Sequence, residues 1–223
     1  MIERITAKAE MQERILQTTD RLFYEQGIRA VGVDTVAAEV GISKRTLYNY
    51  YPSKDALIEA YLARRFKPVP FTDQPPAAQI LGDFERLERS FANDRFRGCP
   101  FVNAVAELKQ PGHAANRIAV AFKDARRAWF RELLVRLDVD DPDGLATQLM
   151  LLVDGAIAAA IVRGDPKVAH AARAAAATLL AAAGVDVDGA ERRRRSSPRM
   201  RGPRARIASL DSRFRGNERK VCE

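Results

Sequence analysis

The sequence predicts an all-α chain of about nine helices, and three observations carry that prediction. Alanine, the strongest helix former, dominates the second half. Apolar residues recur at i, i+3, i+4 and i+7 through most of the chain, the spacing of one helix face. Alternating β-branched runs, the mark of half-buried strands, are scarce. With 223 residues, one or two domains with a proper core are affordable.

Residues 8 to 26 read as the first helix, with Met11, Ile15 and Leu22 on one stripe beside Leu16, Thr19 and Phe23. Gly27 follows where a C-cap glycine belongs. Val33, Val36, Ala37 and Val40 make a short second helix that Gly41 ends. Ser43 is a good N-cap for a third, from Lys44 to about Tyr50. Pro52 closes it, and Ser53 caps a fourth whose Leu57, Ile58, Tyr61 and Leu62 face the core. The segment FKPVPFTDQPPAAQ then holds four of the eleven prolines and marks a boundary. Helices resume at 77–92, 101–109, 114–137, 143–162 and 166–183, the last opening on Pro166, a residue suited to a first turn. The predicted units are therefore 1–66, 67–187 and a tail, 188–223.

Charge separates the tail from the rest. Residues 189–223 hold twelve Lys and Arg against four acids, a net of +8, so residues 1–188 are neutral. The tail has the composition of disorder, and it reads as dispensable sooner than as a phosphate-binding arm. Cys99 and Cys222 lie far apart, and with only His113 and His170 no disulfide framework or zinc site is implied. No cofactor is expected. Cys99 reads as a buried, inert thiol, since no resolving partner is near it in sequence. A reducing cytoplasm fits this usage, and the charged N-terminus lacks a signal core. Residues 145–162 are an apolar stretch with one charge, Asp154, which would cost ~3 kcal/mol at a bilayer centre. A buried packing helix is the expectation there, with no membrane partner.

The stretch GISKRTLYNYYPSKDAL, residues 41–57, concentrates hydrogen-bonding and cationic groups. A short helix, a glycine turn and a second short helix make a helix-turn-helix pattern, whose second helix enters the DNA major groove. The exposed face of that helix would carry Lys44, Arg45, Tyr48 and Asn49, with Leu47 and Tyr51 turned inward. Cations beside hydrogen-bonding groups are what phosphates and base edges require together. Lys54 sits in the first turn of the next helix, where free backbone N–H groups also grip phosphate.

Residues 11–62 closely resemble the N-terminal domain of the tetracycline-repressor (TetR) family of bacterial transcriptional regulators. The matching residues are ILQTTDRLFYEQG and VDTVAAEVGISKRTLYNYYPSKDALIEAYL, and the spacing of Leu47, Tyr48, Tyr51 and Lys54 is the most specific part. The resemblance implies base reading by Lys44, Arg45 and Asn49, and backbone contacts by Thr46, Tyr48, Tyr50 and Lys54. For Tyr50 and Tyr51 the alternative is a place in the core. One departure is Gly32 where many relatives have a Ser or Thr cap. Another is Asp34, which would repel DNA; the second helix is therefore expected to contribute little beyond Thr35. The first 66 residues carry ten basic and nine acidic groups, so affinity must come from local charge placement and dimerisation.

The resemblance also implies an effector cavity within the middle helices and a four-helix dimer interface built from the last two. RGCPFVNAVAEL, residues 97–108, resembles a segment found in a subset of such regulators. The expected pocket residues are Phe101, Asn103, Glu107, Phe122 and Trp129, and the expected interface residues are Leu149, Leu152, Val153, Ala156, Ala160 and Leu179. The functional expectation is a homodimeric, ligand-responsive regulator that leaves a palindromic double-stranded DNA operator on binding a small molecule. A constitutive DNA binder and an activator are the nearest alternatives. No phosphate-cradling glycine loop, nucleophile–histidine–acid set or metal spacing is apparent, so an enzyme is not expected.

Overall fold

The computed structural model describes residues 2–187 and 189, so the predicted tail falls almost wholly outside the described residues. The described residues form helices α1 (Ile2–Gln26), α2 (Val33–Val40), α3 (Lys44–Tyr50), α4 (Lys54–Arg65), α5 (Pro76–Phe91), α6 (Pro100–Leu108), α7 (Ala114–Val135), α8 (Pro142–Arg163) and α9 (Val168–Ala182), with no strand among them. Each expected helix is present, and α1 begins earlier than its hydrophobic stripe. Glu, Arg, Lys and Ala populate that extra turn and favour helix without needing a buried face.

Local chemistry stops and starts the short helices. Gly41 closes α2 at φ 76°, in the left-handed region, and the N–H of Ile42 reaches back to the carbonyl of Ala37 at 3.0 Å. The Ser43 hydroxyl oxygen accepts the N–H of Thr46 at 3.0 Å, and that of Ser53 accepts the N–H of Ala56 at 3.0 Å. Arg14 on α1 donates to the last carbonyl of α2, Val40, at 3.1 Å.

Two hydrophobic cores form, and they do not divide where the prolines do. Ile15, Phe23, Val36, Leu47, Leu57 and Tyr61 centre the first, but Cys99, Phe101, Ala104, Ala115 and Ala119 complete it. Helix α6 and the start of α7 thus belong physically to the head formed by α1–α4. The second core joins α5, the end of α7, α8 and α9 around Phe84, Phe130, Leu133, Leu149 and Leu180. Cys99 is a free buried thiol at the start of α6.

Helix α8 is long and apolar enough to cross a membrane, with mean hydropathy 2.0 over its best window. It packs instead against α7 and α9, and Asp154 pairs with Lys123 of α7. Its buried residues include Leu149, Val153, Ala156 and Ala160. This corrects the expected dimer face, because those four side chains fill the chain's own core. Leu152 and Leu179 are half-buried against the same core. What faces outward on α8 is Leu151, 66% exposed, Gly155, Ala158 and Val162, 85% exposed.

Inside the second core, Asp83 of α5 is 1% exposed and carries two ion pairs, to Arg86 at 2.8 Å and to Arg126 of α7 at 2.5 Å. A buried carboxylate is tolerable only with such partners. Asp83→Ala leaves the Arg126 guanidinium, nearly buried beside α5, without its counter-charge. The expected loss is about 3–5 kcal/mol in urea unfolding, while Arg86→Ala, which removes the more exposed partner, costs well under half of that.

Candidate nucleic-acid interface

Helix α3 is seven residues long and buries a single side chain, Leu47, at 0% exposure. Leu47 sits on one face of a short helix, and of the other six residues only Thr46 and Tyr50 are half-buried. Lys44, Arg45, Tyr48 and Asn49 are exposed, and Thr46 is half-buried. The Thr46 hydroxyl lies 2.8 Å from that of Ser43. Thr35 on α2 is also exposed. All eight sequence-assigned DNA residues therefore come from α2, α3 and the first turn of α4.

Three residues of this segment are constrained by further contacts, two of them, Tyr50 and Tyr51, in the core place that the sequence left open for them. Tyr50 is half-buried and packs against the head core, so part of its ring serves α3's anchoring. Tyr51, 6% exposed, is a core residue, and burial pushes its phenol up. Lys54 lies with its Nζ 5.9 Å from the centroid of the Phe23 ring, and partial burial lowers its pKa despite Glu107 and Asp55 nearby.

Asp34 behaves differently from a simple repulsive charge. Its Oδ2 accepts from the Nζ of Lys44 at 2.9 Å, across the helix-turn-helix turn. The hydrogen bond and the charge of Asp34 raise the lysine's pKa. Both side chains are exposed, so the pair itself adds little stability. Its effect is on function: one of the cations expected to read bases is already held by an anion of the same head. Opposite charges flanking the turn were the only sequence signal for it.

The five residues expected to line an effector pocket do not converge. Phe101 and Phe122 stack at 3.9 Å between centroids, with Phe66 at the end of α4 edge-on to both. These rings join the head to α6 and α7. The amide Nδ2 of Asn103 donates to the carbonyl of Arg97 at 2.7 Å and closes the loop before α6. The carboxylate of Glu107 accepts the backbone N–H of Arg29 at 2.9 Å, in the loop that leads to α2. Gly27 permits this approach: its φ is +94°, and a Cβ there would stand 3.0 Å from Glu107 Oε2. Trp129 lies apart from the other four, in the second core. The sequence placed all five on apolar helices, but helical spacing does not say which of two cores a residue enters.

Further contacts fasten the head to the later helices. The Tyr24 hydroxyl donates to the carbonyl of Gly98 at 3.0 Å and accepts the N–H of Arg97 at 3.0 Å. His113 accepts the N–H of Ala115 at Nδ1 and turns Nε2 toward Asp55 of α4, 3.4 Å away. No group of three or more His, Cys, Asp or Glu able to hold a metal occurs among the described residues.

Residues 15–61 match the family model described as "Bacterial regulatory proteins, tetR family". A crystal structure of a TetR transcriptional regulator from Streptomyces avermitilis shares 35% identity and superposes with a TM-score of 0.71, covering 78% of this chain and 98% of that one. The chain belongs to the TetR family. A TetR-family transcriptional regulator from Streptomyces coelicolor shares 30% identity with a TM-score of 0.70, covering 79% of this chain and 97% of that one. The HTH-type transcriptional regulator YjdC of Escherichia coli is 28% identical over 170 residues, 71% of this chain and 89% of its own length. This TetR-family protein is accordingly a DNA-binding transcriptional regulator and not an enzyme.

The Asp34–Lys44 pair generates a direct expectation. Asp34→Ala releases Lys44 to phosphate or base, so affinity for duplex DNA rises, and the slope of log K against log salt steepens by ~0.9 per additional phosphate contact. Equilibrium binding at several salt concentrations measures both; an unchanged slope with unchanged affinity would show that Lys44 does not reach DNA.

Proposed function

We propose that the protein is a homodimeric repressor, working in the cytoplasm, that leaves a palindromic operator when a small molecule binds in its second half. On this reading residues 1–66 are the DNA-binding head and residues 67–187 the effector-binding and dimerisation body. The observation that carries the proposal is the seat of α6, which follows the proline-rich boundary in sequence but packs in the head core. Its Phe101 and Ala104 lie in the head core, and its Glu107 holds the loop ahead of α2. A ligand that moves α6 must therefore move the head, and linkage requires that DNA oppose the same ligand equally.

Arg45 and Asn49 are the residues assigned to base edges, with Lys44 as the third, held back by Asp34 until DNA competes for it. Thr46, Tyr48, Tyr50 and Lys54 are assigned to the phosphate backbone, with Thr35 the one contribution of α2. Two heads are needed, since half-sites on one face of DNA are separated by a helical turn or more. The outward face of α8 supplies the surface for pairing: Leu151, Gly155, Ala158 and Val162 form an apolar stripe, continued on α9 by Ala171, Ala174 and Thr178. Small residues along it let helices approach closely, which suits a four-helix bundle between two copies.

Selection from random duplex DNA at near-physiological salt tests the reading as a whole, and an enriched palindrome is the expected result. Arg45→Ala or Asn49→Ala then costs about 1–3 kcal/mol of operator affinity and relaxes the sequence preference at one position of each half-site. Val162→Asp places a charge on the pairing stripe, and sedimentation should show monomers that no longer hold the palindrome but keep native helicity. Glu107→Ala leaves the fold intact and weakens the coupling, so effector no longer displaces DNA fully; full displacement by the variant would remove α6 from the pathway.

A further inference from the structure

The last two turns of α8 touch the head directly. They carry Ile157 and Ile161, one turn apart on the same side of the helix. Among the described residues, Ile157 is the one apolar side chain that packs against both hydrophobic cores. Ile161 reaches the loop ahead of α6 and lies over Gly98. A Cβ at that glycine would stand 2.5 Å from Ile161 Cδ1 and 3.4 Å from its Cγ1.

Gly98 is a junction between α8 and α1. Its φ is +86°, in the left-handed region that favours glycine, and the space its missing Cβ leaves is filled by Ile161. Its carbonyl accepts the Tyr24 hydroxyl of α1 at 3.0 Å, and Cys99, next in sequence, is buried in the head core. The Tyr24 ring lies 4.0 Å from the Arg65 guanidinium at the end of α4. One backbone residue therefore meets α8 on one side and the frame of the head on the other. The outward stripe of α8 is adjacent to this contact. Ala158 and Val162 each follow one of the two isoleucines, ~100° further round the same turns, and both are exposed. A second copy seated on that stripe fixes the roll of α8, and the roll of α8 fixes where Ile157 and Ile161 press on the head.

We infer that Ile157 and Ile161 are positioning residues: they carry the geometry of two paired α8 helices to the heads and so set the half-site spacing that the dimer accepts. The inference rests on the homodimeric reading above, and the two are separable by experiment. Neither isoleucine belongs to the helix-turn-helix, so the sequence read within one half-site stays the same when they are truncated. Spacing is a sensitive readout of head orientation, because each base pair added between half-sites turns one head by ~35° about the duplex axis.

The full chain, as wild type and as Ile157→Ala and Ile161→Ala, is bound to duplexes carrying two copies of the selected half-site, with the spacer varied one base pair at a time. Sedimentation and circular dichroism accompany each titration. The wild type should prefer one spacer by ~10-fold over the same duplex changed by two base pairs. Each variant should stay a dimer of native helicity, keep the half-site sequence, and lower that preference to ~3-fold or less. Ile161 is 51% exposed, so its truncation leaves the fold intact. Gly98→Ala should shift the preferred spacer by pushing on Ile161 Cδ1, and adding Ile161→Val, which removes that atom, should return the preference toward wild type. The strain of alanine at φ +86° persists in the double variant, so its Tm stays low while its spacing recovers. An unchanged spacer preference in both alanine variants would overturn the inference, as would an altered half-site sequence at unchanged spacing. Monomeric variants would place the isoleucines in the pairing surface itself and overturn it too. A wild type that selects single half-sites with no preferred spacing would defeat the dimer reading, and this inference with it.

Discussion

The frame around the recognition helix is tied together at one guanidinium. Arg65, the last residue of α4, donates from Nε and Nη2 to both carboxylate oxygens of Asp20 on α1, at 2.5 and 2.8 Å. Its plane lies 4.0 Å from the centroid of the Tyr24 ring, and the Tyr24 hydroxyl is bonded to the backbone at Arg97 and Gly98. Burial alone would lower the pKa of Arg65, but the hydrogen bonds and charge of Asp20 outweigh it and raise the value. The forked pair fixes α4 on α1, and Tyr24 fixes α1 on the loop before α6. A lysine at position 65 would supply the charge but neither the fork nor the stacking plane.

Helix α3 needs that external frame because it has so little of its own. A helix of seven residues is far below the length that is stable alone in water. Ser43 starts it, and Leu47, Tyr50 and Tyr51 are its attachments to the core. Its direction in space is therefore inherited from α1, α2 and α4. That inheritance ties the head together as one unit, and it also makes α6 consequential, since Glu107 grips the loop between α1 and α2 while Phe101 meets Phe66 at α4's end edge-on.

What was legible in the sequence was the chemistry that acts over a few residues. Gly41, Ser43 and Ser53 start or stop helices through bonds to neighbours three to five positions away, so their roles could be read directly. Leu47 was legible for a related reason: on so short a helix only one stripe can turn inward. The face of α8 was not legible, because a helix that is apolar all round has no periodicity to say whether Leu149 or Leu151 is inside. Nor was the fate of Phe101 and Trp129, since two cores share the helices that carry them. Asp34 with Lys44 and Glu107 with Arg29 are pairings across a turn and across the chain, which depend on tertiary placement alone.

The electrostatics of the head bear on how such a regulator discriminates. Non-specific affinity comes from phosphates neutralised by cations, and the first 66 residues carry ten basic groups against nine acidic ones. One cation of the reading helix is tied to Asp34, and Arg21, Arg64 and Arg65 are paired with Glu39, Glu13 and Asp20. A single head of this kind has little to hold DNA with except the fit of its recognition surface. In the proposed dimer, occupancy of an operator rests on two heads binding at once, where the second contact is gained at the high effective concentration set by the first. That gain is lost when the heads cannot span both half-sites. On the proposed reading, a displacement of α6 releases DNA by removing not one contact but the simultaneity of two.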